Sequence, residues 1–149
     1  MKKKSLGNIV NLFISKKGIK ERLEQNELIL DKNGIVTDKF YAKDIQRSVL
    51  ICSTYGYMVA RDKNIDINYG ELGENIVVNF DLSELKEGDY FKVGEVELEI
   101  TQNCTICQSL AKIDPILPTL LKDDRGIFAK VIKDGTIGRN DEVTKSING

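Results

Sequence analysis

The sequence predicts a mainly β protein, built as a single closed or nearly closed β-barrel with a few short helices. Most of the 149 residues have strand character, and turn residues recur at intervals of roughly eight to twelve residues. Helical patterns are few and short. This combination is typical of an all-β fold that closes on itself and so leaves no exposed strand edges.

Five segments have the composition of strands, because β-branched and apolar residues are concentrated in them. They are 8–15, 48–53, 75–80, 94–100 and 126–133. The fourth alternates strictly between apolar residues and glutamates after its opening glycine. A period of two places the apolar side chains on one face and the glutamates on the other, so this strand is expected to have one wet face.

Turns and helices account for most of what lies between these strands. Segments 19–26 and 54–63 each predict about two helical turns. Apolar residues recur at helical spacing after Cys107, but Pro115 and Pro118 would break a single helix, so short helical turns are expected there. The turn signals are Asn33-Gly34, Gly88-Asp89, Gly94 and Asp134-Gly135.

The composition excludes several classes of function. With 22 Lys and Arg against 23 Asp and Glu, the formal net charge is −1, which argues against a broad electrostatic grip on nucleic acid. The chain has no histidine. Ser-His-Asp and Cys-His catalysis, HExxH zinc sites and facial-triad iron sites all need imidazole, so none of them can be formed within the chain.

The sequence also predicts a cytoplasmic protein of one domain, residues 1–149. Polar and charged residues from Asn8 to Lys17 interrupt the apolar run that a signal peptide would need. No segment approaches the ~20 apolar residues of a membrane span. Three cysteines, an odd number, fit a reducing compartment better than a disulfide framework.

Cys104 and Cys107 form a Cys-x-x-Cys pair directly after the alternating strand, where the chain is expected to turn at a barrel rim. A closed zinc site is disfavoured because Cys52 is the only further soft donor and four ligands are required. A thioredoxin-like pair would need a βαβ setting, which the flanks do not predict. Two alternatives stay open: one cysteine is a nucleophile or soft metal ligand beside an auxiliary thiol, or both are buried apolar residues.

Several short motifs, in a fixed order, resemble those of the MOSC domain family, and they cover the chain from Gly7 to about Val143. They are 34–39 (GIVTDK), 47–51 (RSVLI), 72–76 (LGENI), 85–89 (LKEGD), 93–94 (VG), 100–102 (ITQ), Cys107, 125–131 (RGIFAKV) and the 134–137 turn leading to Asp141. The family is named after the C-terminal domain of molybdenum cofactor sulfurase. The resemblance implies a β-rich barrel.

The resemblance also implies a function and a set of site residues. Cys107 matches the signature cysteine, which ligates molybdenum in cofactor-binding members and is proposed to carry a persulfide in sulfur carriers. Asn75 matches a cofactor contact, and Thr105 matches a small hydroxyl beside the cysteine. The implied activity is that of a molybdenum-cofactor-dependent or a sulfur-transferring enzyme.

Two departures from the family pattern limit what can be transferred. Phe40 stands where the family often has histidine. The pyridoxal-phosphate desulfurase domain of the sulfurases is not represented in the sequence, so pyridoxal phosphate would act only in a separate partner. The expected partners are therefore a molybdopterin-type cofactor or a small sulfur acceptor, and a desulfurase or reductase, with no nucleic acid and no membrane.

Charged residues near these motifs complete the candidate site. A reactive thiol needs nearby positive charge, and without histidine the candidates are Arg47, Lys112 and Arg125. The same cations suit the phosphate of a cofactor. Asp38 and Glu74 could orient a cation or anchor loop backbone.

Three functions follow as alternatives. In the first, Cys107 binds molybdenum cofactor or carries sulfur in a cleft rimmed by Asn75, Thr105 and Arg47. In the second, the chain is a non-catalytic carrier of cofactor or sulfur for a partner enzyme. In the third, Cys104 and Cys107 act as a dithiol redox pair. Cys52, inside an apolar run, is expected to be buried and inert.

Overall fold

The computed structural model describes residues 2–105 and 108–147, which form eleven strands and three short α-helices. The strands are β1 Lys2–Ile14, β2 Leu23–Gln25, β3 Glu27–Asp31, β4 Gly34–Ile35, β5 Val49–Ser53, β6 Ile76–Val78, β7 Tyr90–Val93, β8 Val96–Asn103, β9 Ile127–Lys133, β10 Gly135–Gly138 and β11 Glu142–Ile147. The helices are α1 Thr54–Asp62, α2 Gln108–Ile113 and α3 Leu117–Leu120, with single 3₁₀ turns at Ile45–Arg47 and Leu82–Glu84.

Seven of these strands close into a barrel in the order β11, β7, β8, β9, β5, β6 and β1, with β1 pairing back to β11. The neighbours are antiparallel except for the parallel pair β5 and β6. A separate small sheet has the order β10, β3, β4. The closed, mainly β architecture predicted from the sequence is therefore confirmed.

Strand β1 closes the barrel because it pairs with different strands along its length. Its first half pairs with β11 and its second half with β6 and β2. A register shift between Ser5 and Gly7 redirects the strand between them. Gly7 has φ +152°, and a side chain there would collide with Asn79 and Phe80, so this bend requires glycine.

Two hydrophobic clusters organise the core. The first fills the barrel with the inward-facing residues of its strands. The second lies outside the barrel wall, where the helices cover the outward faces of β5 and β9 at Leu50, Cys52 and Phe128. Strand β5 is consequently buried on both faces, which explains why its sequence is a continuous apolar run rather than an alternation.

The alternating segment 94–100 confirms its prediction within β8. Its three apolar side chains are buried in the barrel, while Glu97 and Glu99 lie on the outer face. There they form ion pairs with Lys92 and Lys130 on the neighbouring strands. The five predicted strands and the helix predicted over 54–63 are present, and α2 and α3 are the expected short turns around Pro115.

Two local predictions were wrong. Segment 19–26 is not helical but contains β2, whose residues pair with the end of β1. Asp134-Gly135 does not form a simple turn, because Gly135 begins β10 and pairs with Leu30 of β3. In both places pairing with another strand overrides the local preference of the chain: β2 pairs with the preceding strand β1, and β10 pairs with the distant strand β3.

Within the part of the chain that the structure describes, no helix has the length and apolarity needed to cross a membrane.

Candidate functional site

A cleft with a volume of about 350 Å³ opens between the 15–22 and 36–48 loops and the ends of β5 and β9. Its floor is apolar, and its walls carry four cations against two carboxylates. The apolar residues are Phe40, Leu50, Leu72 and Phe128, the cations are Arg22, Lys43, Arg47 and Arg125, and the carboxylates are Asp38 and Asp44. Ser48, Gly73, Asn75 and Cys104 complete the lining.

Asn75 holds the edge of the cleft together. Its Oδ1 accepts a hydrogen bond from the Leu50 N–H at 3.0 Å, and its Nδ2 donates to the Phe13 carbonyl at 3.2 Å. Its backbone bonds to the same two residues, at 2.8 Å each. One buried side chain thus joins the ends of β1 and β5 where both strands border the cleft.

Asp38 ties together the two loops that form the cleft mouth. Its carboxylate accepts hydrogen bonds from the Ser15 N–H at 2.6 Å and the Phe40 N–H at 3.0 Å. Arg22 lies beside it, with its guanidinium over the Phe40 ring at 5.8 Å. Burial lowers the pKa of Arg22, while the charges of Asp38 and Glu74 oppose that shift.

Glu74 lies behind the cleft wall rather than in its lining. Its side chain is 0% exposed and accepts hydrogen bonds from the Tyr57 hydroxyl and, at 3.1 Å, from the Gly70 N–H. Its other oxygen, Oε1, has no hydrogen-bond partner among the described residues. Burial raises the pKa of Glu74, although the Tyr57 hydrogen bond and the Arg125 charge act the other way.

A second hollow, of about 380 Å³, lies on the other side of the wall formed by Cys104 and Arg125. Thr105 lines this second hollow and not the cleft. Cys104 is only 4% exposed and packs in the second hydrophobic cluster, so it matches the alternative of a buried apolar cysteine rather than that of an accessible auxiliary thiol. Arg125 is 5% exposed, so it is a wall residue rather than a surface charge.

The structure describes two of the three cysteines, Cys52 and Cys104, and both are buried. Cys107, the predicted signature residue, lies outside the described residues. Cys52 is fully buried as predicted, its Sγ donates to the Arg125 carbonyl at 3.3 Å, and burial raises its thiol pKa well above the usual value. Among residues 2–105 and 108–147, no group of three or more Cys, Asp or Glu is arranged to hold a metal ion.

The structure therefore gathers part of the predicted site. Asp38, Arg47, Asn75, Cys104 and Arg125 share the cleft. Thr105 and Glu74 do not line it, and Lys112, exposed on α2, lines neither hollow. Arg47 is held over the Phe128 ring at 5.3 Å.

Sequence reasoning missed two cations of the cleft, Arg22 and Lys43. Arg22 falls in the segment predicted to be helical, so nothing in its neighbourhood indicated a cleft wall. Lys43 follows the 34–39 motif closely, and proximity to that motif was the only signal available.

The family profile described as "MOSC domain" matches residues 42–144. A sequence comparison with curated proteins finds no match.

Solved structures share the fold. The chain is similar to YuaD from Bacillus subtilis, with a TM-score of 0.76 and 21% identity over 99% of both chains. It is also similar to YiiM from Escherichia coli, with a TM-score of 0.69 and 18% identity over 95% of this chain and 71% of that one. YiiM from Geobacillus stearothermophilus gives a TM-score of 0.71 and 13% identity, over 99% and 77% of the two chains. Because the family profile matches residues 42–144, well over half of the sequence, the chain belongs to the MOSC domain family.

Proposed function

We propose that the cleft binds a molybdopterin-type cofactor, or receives a small sulfur acceptor, and that Cys107 supplies the thiolate at this site. The observation that carries the proposal is the charge of the cleft wall. Four cations face two carboxylates, and one of these, Asp38, is already engaged by two backbone N–H groups. The wall is therefore suited to an anionic ligand.

The residues present fit such a cofactor. Pockets that hold cofactors and other small ligands have volumes of about 300–1,000 Å³ and apolar linings with a few placed polar groups. The cleft has a volume of about 350 Å³, and Leu50, Leu72 and Phe128 supply apolar surface for a flat ring system. Arg47 and Arg125 would take a phosphate, because guanidinium groups bind phosphate oxygens in pairs. When bound, the cofactor would supply redox chemistry at molybdenum.

The chain's own residues would bind and orient the ligand. Asn75 keeps the ends of β1 and β5 at a fixed separation, so the apolar floor is formed before the ligand arrives. Arg125 faces both the cleft and the second hollow. Cys107 follows Cys104 by three residues, and three peptide units span at most about 11 Å. The sequence therefore keeps the Cys107 backbone within that distance of Cys104 in the cleft wall.

In the sulfur-carrier form of the proposal the step is a simple exchange. An acceptor thiolate attacks the outer sulfur of a Cys107 persulfide, the sulfur–sulfur bond breaks, and Cys107 leaves as a thiolate. The cations of the wall would stabilise that thiolate. No change in overall oxidation state is needed, and no metal is involved in this form.

The dithiol alternative has less support than the other two. A redox pair needs an accessible thiol, and Cys104 is packed in the second hydrophobic cluster. The carrier alternative uses the same cleft and the same cysteine. It differs only in whether turnover occurs on this chain or on a partner.

The test is chemical analysis of protein expressed in a host that makes the cofactor. We expect the wild type to contain molybdenum and pterin, or a Cys107 carrying one additional sulfur by mass spectrometry. Cys107→Ser should lose both signals, and Arg47→Ala should lose most of the pterin. Lys112→Ala is the matched control, because Lys112 lines neither hollow, and it should behave as wild type.

Equal cofactor content and equal persulfide loading in the wild type and in Cys107→Ser would contradict the proposal. Turnover of N-hydroxylated or thiol substrates by the protein alone would exclude the carrier alternative.

A further inference from the structure

The loops at the mouth of the cleft form a distinct surface, which we call the basic rim: residues 15–22 and 36–48. The two loops are joined at their base, where the Ser15 N–H donates to Asp38 and the Lys39 N–H donates to the Ser15 carbonyl at 2.9 Å. Arg22 over the Phe40 ring links them again nearer the mouth. The rim therefore behaves as one surface rather than as two separate loops.

Positive charge is concentrated on this surface. The rim contains seven Lys and Arg against three Asp and Glu, whereas the rest of the chain contains fifteen against twenty. Among the described residues, none of the seven rim cations lies within ion-pair distance of a carboxylate. Lys16, Lys17, Lys20 and Lys39 lie outside the lining of the cleft, so they are in excess of what a ligand inside it needs.

The rim is also unusually apolar for a charged surface. It holds Ile19, Val36, Phe40 and Ile45, which are four of the nine large hydrophobic side chains that are exposed in the described residues. Phe40 is 47% exposed, and cations lie over its ring from Lys39 at 5.1 Å and from Arg22. Aromatic and arginine side chains, here Phe40, Arg22 and Arg47, are enriched in protein–protein interfaces.

A protein fits this surface better than nucleic acid does. Single-stranded nucleic acid binds by stacking bases on open aromatic faces, and the one exposed aromatic ring of the rim already has cations over it. Aliphatic side chains such as Ile19 and Ile45 offer nothing for a base to stack on. They would bury well against apolar residues of another protein.

We propose that the basic rim docks an acidic face of a partner protein, which covers the mouth of the cleft. This proposal rests on the proposed function, because a protein that passes sulfur or cofactor to another protein needs that partner at the opening of the cleft. Complementary charge would speed the encounter and make it dependent on salt, as in transient complexes.

The test is photo-cross-linking in the native host, with benzoylphenylalanine replacing Ile19 in the full chain. The matched control position is Tyr90, which has similar exposure, at 47% against 42%, and lies on β7 outside the rim. We expect Ile19 to give a discrete cross-linked protein and Tyr90 to give none. The peptide that is captured should come from a surface rich in Asp and Glu.

Charge reversal decides whether the contact is the one proposed. Lys16→Glu, Lys17→Glu and Lys20→Glu together should lower the cross-link by about tenfold or more, because like charges then face each other. The control is the same change in net charge at Lys3, Lys63 and Lys133, which are exposed and lie outside the rim. It should leave the cross-link within about twofold of wild type, since these charges are screened from the contact.

Several results would overturn the proposal. They are no product at Ile19, equal products at Ile19 and Tyr90, a product removed by nuclease, or equal sensitivity to the two charge reversals. Cofactor and persulfide content measured on the rim variant separates the two hypotheses. If the rim variant loses the cross-link but keeps the wild-type content of cofactor or persulfide, the result supports docking. If the wild type gives the cross-link but contains neither cofactor nor persulfide, the result contradicts only the proposed function.

Discussion

The Tyr57 hydroxyl donates a hydrogen bond to Glu74 inside the second hydrophobic cluster, with both side chains almost completely removed from solvent. Burial raises the pKa of both groups. The phenol therefore remains a donor at any physiological pH, and the carboxyl of Glu74 is the partner whose charge state can change.

Glu74→Gln should flatten the dependence of stability on pH. Because the folded-state pKa of Glu74 is raised above its usual 4.5, the folded protein binds the proton more tightly than the unfolded chain does. The contribution of Glu74 is then fully present below pH 4.5 and is lost as pH rises through the folded-state pKa. A glutamine at this position still accepts the hydrogen bond from Tyr57. Because it does not ionise, the loss of stability with rising pH disappears.

Urea denaturation from pH 4.5 to 8 measures this effect as the difference in unfolding free energy between variant and wild type. That difference should grow in favour of the variant as pH rises and then level off. A difference that is constant across the range would show that folding does not shift the pKa of Glu74, and a difference that favours the wild type increasingly with pH would show that folding lowers it; either result would contradict the prediction.

Gly126→Ala should destabilise the fold more than Gly88→Ala does. Both glycines have positive φ, +132° and +90°, so both substitutions impose backbone strain. A Cβ at Gly126 would lie 2.8 Å from the Ile51 carbonyl and 3.0 Å from the Cys52 Sγ, whereas nothing lies within 4 Å of one at Gly88. Overpacking should add about 1–3 kcal/mol to the cost at Gly126.

Thermal and urea denaturation of the two glycine variants compare these costs directly. Equal losses of stability would mean that β5 and β9 separate easily at this point. The wall between the cleft and the second hollow would then be softer than its packing indicates.

Asn75→Asp should loosen the edge of the cleft at little change in volume. A carboxylate can still accept from the Leu50 N–H, but it cannot donate to the Phe13 carbonyl, and it places two acceptors opposite each other. Leaving a buried acceptor unsatisfied costs about 1–3 kcal/mol. Hydrogen exchange should show faster opening of the Leu50 and Phe13 amides, and Asn68→Asp, at an exposed position outside the cleft lining, should leave both rates unchanged.

Five of the seven strands of the barrel wall were predictable because the sequence of each reflects its own surroundings, whereas β7 and β11 were not predicted. The segment containing Val96 and Glu97 alternates since one face is wet, and the segment containing Leu50 and Cys52 does not since both faces are covered. Strand β2 was missed for the opposite reason. Its three residues are strand only because they pair with Leu12, Phe13 and Ile14, which no local pattern reveals.

The same distinction applies to the candidate site: residues within recognisable motifs were predictable, and residues that other parts of the fold position were not. Asp38, Arg47, Asn75 and Arg125 were predicted because they fall within family motifs, and the fold brings them to one cleft. Arg22 could not be predicted, since its place depends on the pairing of β2 and on the Ser15–Asp38 hydrogen bond. The burial of Cys104 was left open by the sequence because it depends on helices that fold back over β9 after the loop.

The pairing of β1 with β11 has a consequence for synthesis and folding. Lys4 lies opposite Lys145, so the barrel closes by joining segments from nearly opposite ends of the described chain. Such non-local pairing is entropically costly to bring about and slows folding. During translation the first half of β1 has no partner until β11 leaves the ribosome. For that interval its unpaired edge is open to pairing with other chains, so aggregation is expected to compete with folding at this stage.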